Sequence, residues 1–234
     1  MYQFSSRIRF SETDQNSLLS PCALLDYFQD CVTFHSQDIG LSHAQLWEKG
    51  RFWVLNSWNV ILHRRPALCE EVIIRTNPYD FKGCFGKRNF SMETLQGETL
   101  AVADSLWTML STESGAPVAC EEEDIRRYGP GEPFEMEYAH RKVKIAGELL
   151  ESFEPVKVEA HMIDYNGHVN NGQYVRLALR YLPELPQLRQ LRVEYRKAAL
   201  PGDSIHLQLH RDGERYVLNM TDSEGKMYAA VEVR

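Results

Sequence analysis

The densest run of reactive side chains in this 234-residue sequence is Asp164-Tyr165-Asn166-Gly167-His168-Val169-Asn170-Asn171. Asp, Asn and Gly favour turns and caps, and His168 can change charge near neutral pH. The run falls between a predicted short strand, Val156 to His161, and a predicted helix from Asn171 to Leu182 that Pro183 stops. The first N–H groups of a helix have no partner within it and point outward, an arrangement that can hold a developing oxyanion. A base or water-positioning group beside such donors suits acyl transfer to water. A plainer reading is also open, because Asn and Asp ahead of a helix commonly serve as caps and turns.

The elements that must position this run come in two rounds. In the first, Gln3 to Phe10 alternates and predicts a strand. Ser20-Pro21 then starts a helix, with Leu24, Tyr27, Phe28, Cys31 and Phe34 on one face and Gly40 at its end. Ser42 to Gly50 predicts a short helix, and Phe52–Leu62, Val72–Thr76, Phe85–Met92 and Thr99–Leu110 predict strands, with Gln96-Gly97 as a turn. Ser114 to Phe153 has the acidic run Glu121 to Asp124, then Gly129-Pro130-Gly131, then Arg141-Lys142-Val143-Lys144; this reads as a connector with some structure of its own. The pattern then restarts. The second helix has Tyr174, Leu177, Ala178 and Tyr181 on one face, and Gln190–Lys197, Ser204–Leu209, Tyr216–Met220 and Met227–Val233 predict strands, turned by Asp212-Gly213 and Glu224-Gly225.

Residue matches suggest an internal repeat. Asp14-Gln15-Asn16-Ser17-Leu18 lines up with Asp164-Tyr165-Asn166-Gly167-His168, at an offset of 150. Ala67-Leu68, Glu71 and Ile73 line up with Ala199-Leu200, Asp203 and Ile205 at 132, and Gly97 and Ala101 with Gly225 and Ala229 at 128. The architecture this predicts is α+β: a long helix across a curved antiparallel sheet, twice.

Composition narrows the class. Charged residues are 25% and apolar residues 43%, which excludes a disordered or collagen-like chain. The net charge of −7 argues against general nucleic-acid binding. Five cysteines, none spaced as CxxC, argue against a disulfide framework or a zinc knuckle, and His161 and His168 show no metal-ligand spacing, so no metal site is expected. Neither a signal-peptide core nor an 18-residue apolar run is found, so the expected location is the cytoplasm, with no membrane span.

At this point a family resemblance enters. Asp164 to Tyr174 resembles the D-x-N-x-H-V-N-N-x-x-Y signature of acyl-acyl-carrier-protein (acyl-ACP) thioesterases. Trp53-Val54-Leu55 with Arg64-Arg65-Pro66 and Glu70-Glu71-Val72 is similar to that family's first-domain strand pair, and Glu194-Tyr195-Arg196-Lys197 to its late E-Y-R-[RK] strand. The likeness runs from about Phe10 to Val233.

The resemblance implies two tandem hotdog domains, 1–115 and 154–234, joined by a connector, 116–153. It implies hydrolysis of fatty acyl-ACP, releasing free fatty acid and ending chain elongation, with Asp164, Asn166 and His168 as catalytic residues and no metal or organic cofactor. The partners implied are acyl carrier protein and a fatty acyl chain, and a homodimer is left open. The family's late strand normally runs into an acid and often a cysteine; here those positions are Ala198 and Ala199, so a cysteine nucleophile is not expected. Glu194 lies roughly 13 Å along the strand from position 198, too far to substitute directly. Water activated by Asp164 and His168, with Asn166 orienting the substrate and helix-start N–H groups holding the oxyanion, is the expected mechanism.

The first half has Leu18 in place of His168, so one active site per chain is expected, the first half supplying acyl-tunnel walls through Leu24, Phe28 and Trp53. Tyr174 is a further expected substrate contact. Arg176 and Arg180, four apart and off the apolar stripe, are expected to be exposed and to dock the acidic carrier, with Arg126-Arg127 as a second basic pair. Competing readings are an acyl-CoA thioesterase, a non-catalytic acyl-binding hotdog protein and a hotdog dehydratase.

Overall fold

Two helix starts organise the chain. Ser20 Oγ accepts the N–H of Ala23 at 3.2 Å, Pro21 takes the first helical position, and helix α1 runs Pro21–Asp38. The computed structural model describes residues 1–164, 167–183 and 188–234. Leu24, Phe28, Cys31 and His35 form the buried stripe of α1, all within 6% exposure. Phe34, expected on that stripe, is 43% exposed. The 3.6-residue turn carries the stripe from Cys31 to His35 instead, and Phe34 lies edge-on to Phe4, ring centroids 5.3 Å apart.

Contacts divide the chain into two compact units, Met1–Leu55 with Val60–Tyr138, and Asn56–Asn59 with Ala139–Arg234. In the first half of the chain the strands are β1 (Tyr2–Arg7), β2 (Arg51–Leu62), β3 (Glu71–Lys82), β4 (Phe85–Thr94) and β5 (Thr99–Ser111), ordered β1-β3-β4-β5-β2. Helix α1 packs on β1 and β3. A short helix α2 (His43–Glu48) follows α1, and α3 (Glu122–Tyr128) follows β5. In the second unit the strands are β6 (Glu148–Lys157), β7 (Gln190–Tyr195), β8 (Ser204–Asp212), β9 (Arg215–Thr221) and β10 (Met227–Val233), ordered β6-β8-β9-β10-β7, with helix α4 (Asn171–Tyr181) against β10. The β1·β3, β3·β4, β4·β5, β6·β8, β8·β9, β9·β10 and β7·β10 pairings are antiparallel.

The backbone hydrogen bonds repeat between the halves. Asp14 N–H donates to Leu18 O and Asp164 N–H to His168 O, each at 2.9 Å. Ile8 N–H meets Glu70 O as Val158 N–H meets Asp203 O, and Leu19 N–H meets Pro66 O as Val169 N–H meets Ala199 O. These pairs set the middle offset at 133, one residue from the 132 expected: Ala67 corresponds to Leu200, and Glu70, not Glu71, to Asp203. The offset of 128 stands, and each half skips one residue at the same place, Leu100 opposite Met92/Glu93 and Tyr228 opposite Met220/Thr221.

Three elements depart from expectation. β1 stops at Arg7 and Phe10–Glu12 turns as a 3₁₀ helix. β3 runs well past Thr76, through Pro78, where the register shifts and a missing N–H is tolerated. The strand expected at Val156–His161 is β6, which lies earlier, beginning at Glu148 inside the stretch expected as a connector and ending at Lys157, while Ala160–Met162 turns as a 3₁₀ helix; its mostly exposed residues carry no alternating pattern to mark its start.

Candidate active site

Among the described residues, backbone bonds close the Asp164 turn. Asp164 N–H donates to His168 O at 2.9 Å and Gly167 N–H donates to Asp164 O at 3.0 Å. Gly167 has φ 78°, a left-handed conformation that glycine adopts without strain; Ser17 holds the matching place in the first half at φ 59°. Ile163 and Val169 bridge across the turn. The result places Asp164, half-buried, and His168, exposed, on one tight turn at the mouth of α4. Asn166, expected to complete the set, lies outside the described residues.

The helix start is partly closed. Asn170 Oδ1 accepts the N–H of Gly172 at 2.8 Å, and Asn170 O accepts that of Gln173 at 2.9 Å. These two helix-start donors, expected to meet an oxyanion, are therefore occupied by the cap itself. The plain capping reading holds for Asn170.

The loop after β7 is fixed to the same helix. Val169 N–H donates to Ala199 O at 3.0 Å, and Ala199 N–H donates to Tyr174 Oη at 2.8 Å. Tyr174, expected to face substrate, is 2% exposed; burial pushes its hydroxyl pKa up to about 12. The first half has Pro66 at the place of Ala199 and Leu24 at the place of Tyr174, so donor and acceptor are missing together. Asp203 Oδ2 accepts Leu200 N–H at 3.0 Å and Tyr228 Oη–H at 2.8 Å, closing the far end of the loop. Glu194 is committed elsewhere: buried, it accepts Val143 N–H at 2.8 Å and pairs with Arg196 Nε at 2.5 Å. Motif spacing could not show this loop clamp, because its partners are 25 residues apart.

The other expected residues fall as follows. Leu24 and Phe28 are buried on α1, Phe28 with its ring centroid 5.2 Å from that of Phe90. Leu24, with Leu62, Met92 and Leu100, lines a cavity of about 10 Å³, the scale of one water rather than an acyl chain. Trp53 is half-buried and donates Nε1–H to Tyr128 Oη at 3.0 Å. Arg176 and Arg180 are exposed on α4. Arg127 reaches Glu123 of its own helix at 2.7 Å, and Arg126 reaches Glu122 at 3.9 Å.

Solved structures share this fold. An acyl-ACP thioesterase from Bacteroides thetaiotaomicron superposes with a TM-score of 0.89 at 22% identity, covering 99% of this chain and 96% of that one. A 12:0-ACP thioesterase from Umbellularia californica superposes with a TM-score of 0.85 at 17% identity, covering 100% and 96%. No curated protein sequence matches the chain. The acyl-ACP thioesterase N-terminal domain model matches residues 1–128 and the C-terminal domain model matches 149–234. The chain belongs to the acyl-ACP thioesterase family, and its reaction is hydrolysis of the fatty acyl-ACP thioester.

Proposed function

We propose that this chain hydrolyses fatty acyl-ACP by direct attack of water, with Asp164 and His168 as the acid–base pair and Asn166 orienting the thioester. The observation that carries the reading is the turn that ties Asp164 to His168 through the 2.9 Å backbone bond. Water gives its proton to this pair as its oxygen attacks the carbonyl carbon, and the carrier thiolate leaves and takes a proton back. Asn170 occupies two of the helix-start donors, so the carbonyl oxygen is assigned to the Asn166 amide rather than to those N–H groups.

A covalent route through cysteine is disfavoured. All five cysteines precede residue 139, and none lies in the Asp164–Asn171 run. Burial pushes Cys31 up to about 12 and Cys120 up to about 11, away from the thiolate. Replacing each cysteine by serine is expected to leave kcat largely intact, measured on acyl-ACP. A cysteine variant as slow as His168→Ala would overturn the direct route.

The two halves are read as two copies of one hotdog-type domain, the expected 1–115 and 154–234, with the second extended back to Glu148 so that it holds all of β6. The repeated strand order and backbone bonds support this reading. Tyr174 is assigned to holding the Ala199 loop, Leu24 and Phe28 to the packed core of the first half, and Trp53, half-buried, keeps the acyl-wall role. Arg176 and Arg180 are assigned to carrier docking. Charge reversal at both should raise KM for acyl-ACP and flatten its salt dependence, with hydrolysis of a short acyl-pantetheine thioester unchanged. Equal losses on both substrates would remove the docking role. Efficient turnover of acyl-CoA with none of acyl-ACP would favour the acyl-CoA alternative.

A further inference from the structure

Three buried leucines of the first half are tyrosines in the second. Leu24 corresponds to Tyr174 at the offset of 150, Leu62 to Tyr195 at 133 and Leu100 to Tyr228 at 128, the offsets that the repeated backbone bonds fix. Those bonds bracket the last two pairs: His63 and Arg64 N–H donate to Leu100 O as Arg196 and Lys197 N–H donate to Tyr228 O. All six side chains are buried. In the first half the three leucines together line the cavity of about 10 Å³.

In the second half each added hydroxyl takes a partner close to the motif. Tyr195 Oη–H donates to the carbonyl of Asn171, the first residue of α4, at 3.1 Å. Tyr174 Oη accepts Ala199 N–H at 2.8 Å, and Tyr228 Oη–H donates to Asp203 Oδ2 at 2.8 Å. The rings of Tyr174 and Tyr195 meet edge to face with centroids 6.1 Å apart. So β7 holds the start of α4, and α4 holds the loop that leaves β7. That loop meets Val169, next to His168, through Ala199 O. Apolar packing has no direction, so a leucine layer lets helix and loop shift against the sheet; a hydrogen bond fixes distance and angle. The half with Leu18 carries the leucines, and the half with His168 carries the tyrosines.

We propose that Tyr174 and Tyr195 are positioning residues for hydrolysis: their hydroxyls fix the Ala199 loop and the start of α4, and through Val169 and Asn171 they set the place of His168. They act through the backbone on either side of the motif and not on the substrate. This rests on the reading of His168 as a catalytic group.

The test uses the full chain with acyl-ACP. Tyr174→Phe and Tyr195→Phe keep the rings and remove one bond each. Each is expected to lower kcat about 10-fold with KM unchanged, the effect of a misplaced catalytic group. Tyr27→Phe in the first half is the stability control: Tyr27, also buried, donates to Glu12 Oε2 at 2.7 Å, and its variant is expected to melt lower with kcat intact. Tyr174→Phe leaves the buried Ala199 N–H without its acceptor, so Ala199→Pro is added to it, copying Pro66 of the first half. The double variant is expected to regain melting temperature but not kcat. Should it fail to fold, Tyr195→Phe decides alone, because that change leaves no N–H unpaired. A double variant that regains kcat as well would overturn the proposal, since the unpaired N–H would explain the loss. A raised KM with kcat kept would overturn it too, placing the hydroxyls in substrate binding. Phenylalanine variants as fast as the parent, with His168→Ala inactive, would overturn it while leaving His168 catalytic. An active His168→Ala would instead remove the underlying reading.

Discussion

Replacing His168 by alanine should slow hydrolysis of acyl-ACP by about 100-fold or more in kcat, and Asp164→Ala should do the same. The effect should fall on kcat rather than KM, because the pair acts on the proton of water and not on the acyl chain or the carrier surface. Thermal stability of His168→Ala should hardly move: the side chain is exposed, and the turn is held by backbone bonds that alanine retains. The double variant should be little worse than either single one, since two groups that act on one proton fail together. Additive losses measured by steady-state kinetics would mean that the residues act in separate steps. Full activity in either single variant would remove that residue from the chemistry.

Phe28→Ala should be the most damaging of the core substitutions, at about 3–5 kcal/mol of stability. Phe28 is 0% exposed, and its ring packs on Phe90 at a 5.2 Å centroid distance, between α1 and β4. Removing the ring takes away both apolar burial and the aromatic contact, and the rigid sheet leaves little scope for collapse around the cavity. Urea unfolding should show a lowered midpoint, with Phe28→Leu less affected than Phe28→Ala. This decides between the two roles considered for Phe28. A core residue loses stability first; a tunnel wall would change the preferred acyl length in Phe28→Ala while the urea midpoint stayed in place.

Much of this architecture was legible because its signals are local. Ser20-Pro21 caps α1 as its residue types require, Asn170 caps α4, and Asp212-Gly213 and Glu224-Gly225 lie where β8–β9 and β9–β10 turn. The matches at offsets of 150 and 128 coincide with repeated backbone bonds. The middle offset was one residue out because the recurring Ala-Leu dipeptide matched side chains, whereas the fold matches hydrogen-bond partners: Glu70 Oε2 accepts Ala67 N–H as Asp203 Oδ2 accepts Leu200 N–H. β6 was legible only at its end, Val156-Lys157, because an exposed edge strand needs no alternating pattern.

The site was legible in part. Asp164 and His168 are four residues apart, and a turn signal joins them. Tyr174 was expected to touch substrate; its role as the partner of Ala199 was not legible, since that bond depends on a loop returning from β7. Arg65 looked like part of a strand-end motif, and only the hydrogen-bond register shows it to be the counterpart of Ala198. His35 and Arg88 were hidden for a similar reason. Arg88 is 5% exposed with its Nη1 2.9 Å from His35 Nδ1, and burial together with the Arg88 charge lowers the His35 pKa to about 4, leaving a neutral imidazole beneath α1.

The most direct measurement of the central claim is release of free fatty acid by the purified chain from acyl-ACP, set against acyl-CoA of matched length, for the parent, His168→Ala and the variant with all five cysteines changed to serine. The account predicts turnover of acyl-ACP by the parent and the cysteine-free variant, with loss of about 100-fold or more in His168→Ala. Equal turnover of acyl-ACP by the parent and His168→Ala, or none by the cysteine-free variant while it remains folded, would contradict it.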